Sequence, residues 1–550
     1  MLIKGFLKIS NAVLGKPNGS LSSQTQDMLL KASQIGMTLC EHFSGSSSSQ
    51  GNGGAEADEK KSEVEKKRDV IGFPSSSSPN SPSTSSSRPR RDEKEKAGLE
   101  KRRASMRENS VPATQFGRVL GFGTLAAQLA LGMTGERVAR MTGLGGGRDD
   151  GGISEASAER LAEALCRMRG AALKLGQMMS IQDTDGYLPP ALEKALARVR
   201  ESADYMPEKQ LRRQLEEQLG ADWDAGVTDF DLIPIAAASI GQVHRAKLDD
   251  DVGTTVAIKV QYPGVATSIE SDLRNLKVLV TTFNVLPKGL YIDEIMSVAG
   301  GELKEECDYV REAVSQRRYK ELVEADPVLS KHTYVPKVID ALSTDAVLTS
   351  EFVHGIPLDR VVDLDQTTRN AIARTVLFLT IKELFEWRFM QTDPNFANFL
   401  YDQDEQRINL IDFGASREYD KSFVDGYMRV VWAAANRDSR AILDASRELG
   451  FLTGHESPEM IQAHVEAGMV VGEPFNTAPG EAFDFSGSKL TQRIGKHGAT
   501  FVQHRLTPPP PEAYSLHRKL AGAFLLCIKL NATIECRDIL EMTYSKYSFN

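Results

Sequence analysis

A chain of 550 residues can bury a large core and hold more than one domain. Its formal net charge of −9 argues against nucleic acid as the main partner, because that partner needs a basic surface, although a local basic patch is compatible with it. The five cysteines, Cys40, Cys166, Cys307, Cys527 and Cys536, form no C-x-x-C pair. That excludes the common zinc spacings and a disulfide framework, and it predicts reduced, mostly buried thiols.

Residues 1–44 open with a basic, acid-poor stretch. Lys4, Lys8 and Lys16 alternate with apolar residues, and no acid precedes Asp27. This suits a mitochondrial presequence followed by a short helix; an ordinary flexible terminus has the same composition. Residues 45–110 carry serine runs at 46–49, 75–78 and 85–87, with mixed charge. Such a stretch buries too little apolar area to offset its ordering entropy and reads as a disordered linker. Within residues 111–150, the stretch 119–135 is uncharged, and Gly117 and Gly121 form a G-x-x-x-G pair. A short membrane helix, a membrane-surface or homodimer helix, and a buried soluble helix all fit it.

Residues 151–225 are expected to form a helical extension. Leu161, Leu165, Met168, Leu175 and Met178 mostly recur at steps of three and four, after Ser154 or Ser157 as cap, and a second helix follows over 207–219. The next domain, 226–354, shows strand-like runs at 239–248, 254–262, 336–341 and 346–352, and helices at 265–283 and 292–322. The last domain, 355–550, begins with a helix at 366–386 and two short strands, 399–401 and 408–411, around a tight turn; beyond 420 it reads as mainly helical. A strand-rich block followed by a helix-rich block predicts an α+β, two-lobed architecture.

Phosphate chemistry on ATP needs a cover over the phosphates, a cation beside them, metal ligands, and a carboxylate near the acceptor. The chain supplies candidates for each. Strand alternation puts Ala257 and Lys259 of Val256-Ala257-Ile258-Lys259 on one face, leaving room for an adenine ring and a cation for phosphate oxygens. Asp412-Phe413-Gly414 follows an apolar strand, so Asp412 can hold Mg²⁺. In Asp393-Pro394-Asn395-Phe396-Ala397-Asn398 an aspartate stands five residues before an asparagine, the spacing of a kinase-like catalytic loop. Asp393 then faces the acceptor and Asn398 the metal. The cover is unusual: Ala236, Ala237 and Ala238, followed by Ser239, stand where a kinase has glycines, which predicts a stiffer loop. Lys174 and Gln177 share a helix face, and Glu306 and Asp308 lie on a helix expected to run on to Glu312. From spacing alone, Lys174, Glu306 and Asp308 also read as solvated helix charges.

The chain resembles the UbiB family of atypical kinase-like proteins, and most of all its mitochondrial coenzyme Q biosynthesis branch. The resemblance rests on Lys174-Leu175-Gly176-Gln177, the alanine-rich loop from Ala236 to Gly241, Val256-Ala257-Ile258-Lys259 and Glu306-Cys307-Asp308. It rests also on the Asp393 to Asn398 run, Asp412-Phe413-Gly414 and Arg505-Leu506-Thr507-Pro508-Pro509-Pro510. It implies a two-lobed protein-kinase-like fold with a helical N-terminal extension folded over the site and a mainly helical C-terminal lobe. Lys174 would meet Glu306 and Asp308, Glu312 would partner Lys259, and the alanine-rich loop would tune nucleotide preference and suppress autophosphorylation. Two departures from ordinary kinases stand out. Gln391-Thr392-Asp393 replaces H-R-D, as it does in the family, and no A-P-E follows Gly414.

The resulting expectation is an ATPase of coenzyme Q biosynthesis at the matrix face of the mitochondrial inner membrane. It would bind ATP or ADP with Mg²⁺ and act beside other coenzyme Q biosynthesis proteins on quinone precursors among the membrane lipids. Adenine would lie near Ala257 and meet the backbone of Glu351 and Val353. A protein or small-molecule kinase and a nucleotide-binding scaffold are the alternatives.

Overall fold

The computed structural model describes residues 107–108, 159, 204–282 and 292–550. The stretches expected to be a presequence and an apolar helix lie outside them, as do Lys174 and Gln177. At the end of the segment read as linker, Arg107–Glu108 pairs in parallel with Asp204–Tyr205, a contact that the low-complexity composition does not announce.

The fold is α+β with two lobes. Helix α1 (Glu208–Leu219) buries Leu211 and Leu215 on one stripe and leaves its charges in water. The first lobe is built on an antiparallel sheet of β1 (Val227–Thr228), β3 (Gly241–Leu248), β4 (Thr255–Gln261) and β5 (Val347–Glu351) in that order, with β2 (Ala236–Ala237) also pairing with β3. Strand β4 alternates as its sequence predicts: Val256, Ile258 and Val260 are buried, and Ala257 and Lys259 share the opposite, half-buried face. Gln242 and His244, both fully buried on β3, join a polar chain. The Met206 N–H donates to Gln242 Oε1 (2.8 Å), and the Gln242 amide meets His244 Nε2 (2.8 Å). His244 Nδ1 in turn lies 2.7 Å from the Asp231 carbonyl, which accepts, so the proton sits on Nδ1.

Helices α2 (Val265–Thr282), α3 (Ile292–Glu306) and α4 (Tyr309–Ala325) follow β4. The single helix expected over 292–322 is therefore two. Asp308 breaks it by capping α4, its carboxylate accepting from Arg311 N–H (2.9 Å). The Gln261 amide donates to the Cys307 carbonyl (2.8 Å) and fixes the kink. The run 336–341 is likewise not a strand: only Val338 bridges to Ser350, and a 3₁₀ turn, Asp340–Leu342, ends it.

The second lobe surrounds α5 (Gln366–Phe385), which is buried all round from Ile372 to Phe385 and so sits at the centre of the core. Above it lie β6 (Phe389–Gln391), paired with β9 (Ser416–Glu418), and the hairpin of β7 (Phe399–Asp402) and β8 (Arg407–Leu410). Helices α6 (Lys421–Ala435) and α7 (Pro511–Lys529) pack against this core. Among the described residues, Cys307, Cys527 and Cys536 are buried and form no disulfide, as composition predicts. Among the described residues no helix is long and apolar enough to cross a membrane.

Gly241 opens β3 where the backbone presses on its neighbours. A Cβ there would stand 2.6 Å from the Val260 carbonyl oxygen and 2.7 Å from the Tyr309 hydroxyl. Gly241→Ala should therefore lower unfolding stability by about 1–3 kcal/mol in thermal or denaturant melts. An unchanged midpoint would mean that this contact is slack.

Candidate functional site

The site forms where three elements converge on one ammonium. Lys259 leaves β4 on its open face, and α4 brings Glu312 to it from one side. Lys259 Nζ donates to both Glu312 oxygens, at 2.7 and 2.9 Å. Asp412, two residues past β8, lies 3.4 Å from the same ammonium. The Lys259 side chain is 13% exposed and Glu312 only 1%, whereas Asp412 is 28% exposed and open to a ligand. Tyr309 sits beneath, with Lys259 Nζ 5.1 Å from its ring centre.

Burial alone would lower the Lys259 ammonium. Asp412 and Glu312 outweigh it and hold Lys259 well above the usual lysine range. Glu312 shows the opposite balance: burial raises its carboxyl to about 7 against the pull of Lys259. Burial likewise pushes the Tyr309 phenol upward.

The catalytic-loop candidates stand next to this cluster. Asn398 Nδ2 donates to Asp393 Oδ2 (3.2 Å), and Asp393 Oδ1 accepts from the Asn395 N–H (3.2 Å). The β7–β8 register sets Asn398 opposite Ile411, whose N–H donates to the Asn398 carbonyl (3.2 Å), so Asn398 neighbours Asp412. Gln391 ties the two groups together. Its amide donates to the Asp412 carbonyl (3.1 Å), and its Oε1 accepts the Asp393 N–H. Thr392, fully buried, hydrogen-bonds the Ala415 carbonyl (2.9 Å). Sequence reasoning noted Gln391 and Thr392 only as a departure from a familiar tripeptide. Two polar residues buried at a strand end were the available signal for a structural role.

Asp412 Oδ1 accepts from the Gly414 N–H (3.1 Å). A second missed residue, Arg311, reaches from α4 to the Gly414 carbonyl (3.1 Å) and to the Ser416 carbonyl, fastening the segment after Asp412 to the first lobe. Its signal was the Asp308 cap three residues earlier, which sets the phase of α4. Glu306 is buried, 3.6 Å at its Cγ from the Cβ position of Gly414. Asp308 is exposed and spent on capping. The expected meeting of these two acids with Lys174 involves a residue outside the described ones.

The alanine-rich loop is a tight hairpin. Ile235 N–H donates to the Val243 carbonyl (2.8 Å) and Ala238 N–H to the Gly241 carbonyl (2.7 Å), leaving Ser239 and Ile240, both buried, as the turn. The three alanines keep negative φ, so no glycine is needed for this shape. At the far edge, Glu351 is committed to structure. Its carboxylate accepts from Tyr334 Oη (2.7 Å) and Lys337 N–H (2.8 Å), and its N–H donates to the Lys337 carbonyl (2.9 Å). Pairing with β4 ends at Phe352, whose N–H donates to Thr255 O (3.0 Å), so Val353 is the first residue beyond the sheet.

Asp412, Asn398 and Asp393 offer hard oxygen donors on a partly open surface, which suits Mg²⁺ shared with nucleotide phosphates and water. Among the described residues no three His, Cys, Asp or Glu side chains form a self-sufficient metal centre.

The chain is similar to known proteins over most of its length. The ABC1 atypical kinase-like domain matches residues 198–446. A zebrafish (Danio rerio) protein described as atypical kinase COQ8B, mitochondrial, is 48% identical over 448 residues, covering 80% of this chain and 70% of the relative. The rat (Rattus norvegicus) protein of the same description is 47% identical over 444 residues, covering 80% and 82%. The Saccharomyces cerevisiae protein described as atypical kinase COQ8, mitochondrial, is 37% identical over 447 residues, covering 81% and 88%.

The raised Glu312 carboxyl makes a pH prediction. A carboxyl that titrates about 7 folded and near 4.5 unfolded stabilises the fold fully below 4.5 and ceases to do so as pH rises through 7. Lys259 is raised above 10.5, so its contribution is constant across that window. From pH 5 to 8, the unfolding free energy of wild type should therefore fall relative to Glu312→Gln, by ~1–3 kcal/mol. Parallel stability curves would show that Glu312 does not titrate there.

Proposed function

The chain belongs to the ABC1 atypical kinase-like, or UbiB, family, and from that membership and the geometry of its site we propose that it is a magnesium-dependent ATPase serving coenzyme Q biosynthesis. The observation that carries this reading is the Lys259 ammonium held between Glu312 (2.7 Å) and Asp412 (3.4 Å), with Asp393 and Asn398 linked to Asp412 through Gln391. A lysine kept charged by two carboxylates is ready to meet phosphate oxygens.

In this reading Asn398 and Asp412 hold Mg²⁺, which would draw charge from the phosphate oxygens when bound. Lys259 contacts the phosphates, oriented by Glu312. Adenine lies against Ala257 and meets backbone groups of Glu351 and Val353. Ala236, Ala237, Ala238 and Ser239 roof the nucleotide. Asp393, held by the Asn398 amide, orients a water molecule and takes its proton. Lys174 and Gln177 would close over the site beside Glu306 and Asp308. Transfer to water is favoured over transfer to protein because no A-P-E segment follows Gly414 to dock a peptide.

The relatives are named mitochondrial. We propose further that the chain works at the matrix face of the inner membrane, where it would extract or present hydrophobic quinone precursors to other biosynthetic proteins.

Phosphate release by the full chain, with and without anionic vesicles and quinone-like phenols, tests the proposal. Asp393→Asn should lower kcat by about 10²–10⁴-fold with little change in KM. Asp412→Asn should abolish the Mg²⁺ dependence. Label recovered on an acceptor instead of as inorganic phosphate would favour a kinase. Rescue of quinone synthesis in deficient cells by Asp412→Asn would favour a scaffold and overturn the ATPase.

A further inference from the structure

Helix α7 carries a glycine that local propensity does not explain. Gly522 stands in the middle of a 19-residue helix, where alanine is the better helix former. The compensation is tertiary. A Cβ on Gly522 would lie 2.2 Å from Pro394 Cβ, 3.3 Å from its Cγ and 3.4 Å from its Cα. Pro394 is buried and directly follows Asp393. Its ring is rigid, so no rotamer of either residue relieves such an overlap.

Gly522 belongs to a stripe. Ser515, Lys519 and Gly522 fall on one face of α7 at steps of four and three. Ser515 Oγ hydrogen-bonds Tyr419 Oη (3.0 Å) and Arg417 (3.4 Å) at the end of the segment after Asp412. Lys519, itself buried, lies 3.4 Å from Glu383 and places its ammonium 5.1 Å from the ring centre of Phe399, the residue after Asn398. One helical face thus touches the strand beyond Asp412, the strand beyond Asn398, and the proline beyond Asp393.

We propose that this face of α7 is the template on which the catalytic loop is set, with Gly522 as its positioning residue. The loop is closed on itself: Asp393 is bonded to Gln391, Asn395 and Asn398. A push on Pro394 therefore moves Asp393 and Asn398 together. An added methyl forces a displacement of about 1 Å or more to reach ordinary carbon contact, and a shift of that size can cost about 10²-fold in turnover.

The kinetic arm of the test rests on the ATPase reading; the exchange arm does not. In the full-length protein, wild type, Gly522→Ala, Pro394→Gly and the double variant are compared. The readouts are amide hydrogen exchange at Asn395 and Ala397, whose N–H groups are held by Asp393 and Asn395 side chains, and MgATP turnover. Gly522→Ala should raise exchange at both amides about tenfold or more and lower kcat about 10²-fold, with KM within about threefold. In the Pro394→Gly background, which lacks the opposing Cβ, the same methyl should change either readout by no more than about twofold. Equal effects in both backgrounds, or unchanged loop exchange in Gly522→Ala, would overturn the proposal. If Gly522→Ala does not fold, restored folding in the double variant supports the contact, and continued failure refutes it. A wild type without turnover would count against the ATPase alone.

Discussion

The arrangement depends on a charge that the protein should not easily tolerate. Lys259 is almost enclosed, and removing an ammonium from water costs several kcal/mol even after relaxation. Glu312 repays that cost only while α4 stays against β4, and Asp412 only while the second lobe stays against both. Breaking such a pair by removing one partner typically costs about 3–5 kcal/mol, because a buried charge is left uncompensated. The ion pair therefore acts as a geometric constraint: it links the sheet of one lobe, the helix beside it and the metal-ligand candidate of the other.

A second layer of charges repeats the same logic further from the ligand surface. Arg311 carries α4 to the carbonyls beyond Asp412, and Glu305 on α3 meets Arg417 of β9 at 3.2 Å. Glu302 pairs with Arg518 of α7 at 2.9 Å, both only 3% exposed. Tyr319 of α4 reaches Glu383 of α5 (3.0 Å), which Lys519 of α7 also approaches. Replacing fully buried pairs such as Glu302–Arg518 and Lys519–Glu383 with apolar residues is often neutral for stability. We take their role to be positional: Glu302–Arg518 ties α3, which carries Glu306, to α7, and Tyr319–Glu383 ties α4, which carries Glu312, to α5.

What could be read from the residues follows the range of the forces involved. Strand β4 announced itself because apolar residues alternate with a period of two, and α5 as a long helical run, whereas its burial on every side, Arg374, Lys382 and Glu383 included, was not legible. The order of Lys259, Asp393, Asn398 and Asp412 along the chain pointed to one nucleotide site, since those groups need only a few intervening strands to meet. The break between Glu306 and Tyr309 was hidden: helical periodicity runs through it, and it is made by Asp308 together with distant partners, Gln261 and Asp345. Gln391, Arg311 and Gly522 were harder to read for a similar reason: Asp412, Gly414 and Pro394, which they meet across the fold, lie more than twenty residues away.

The alanine-rich hairpin completes the physical picture of the site. In a glycine-rich cover, backbone N–H groups are free to turn toward phosphate oxygens. Here the N–H groups of Ile235 and Ala238 are already donated across the hairpin, and the turn is anchored from behind by Tyr262 N–H on the Ile240 carbonyl (2.9 Å). Ile240 is buried and Gly241 is wedged against Tyr309 and Val260, so the tip cannot swing without opening the first lobe. In the proposed reading, phosphate under such a roof would be gripped mainly from below, by Lys259 and the groups around Asp412. On the ATPase reading proposed above, a grip of that kind would suit release of the γ-phosphate to a small acceptor better than its delivery to a docked protein chain.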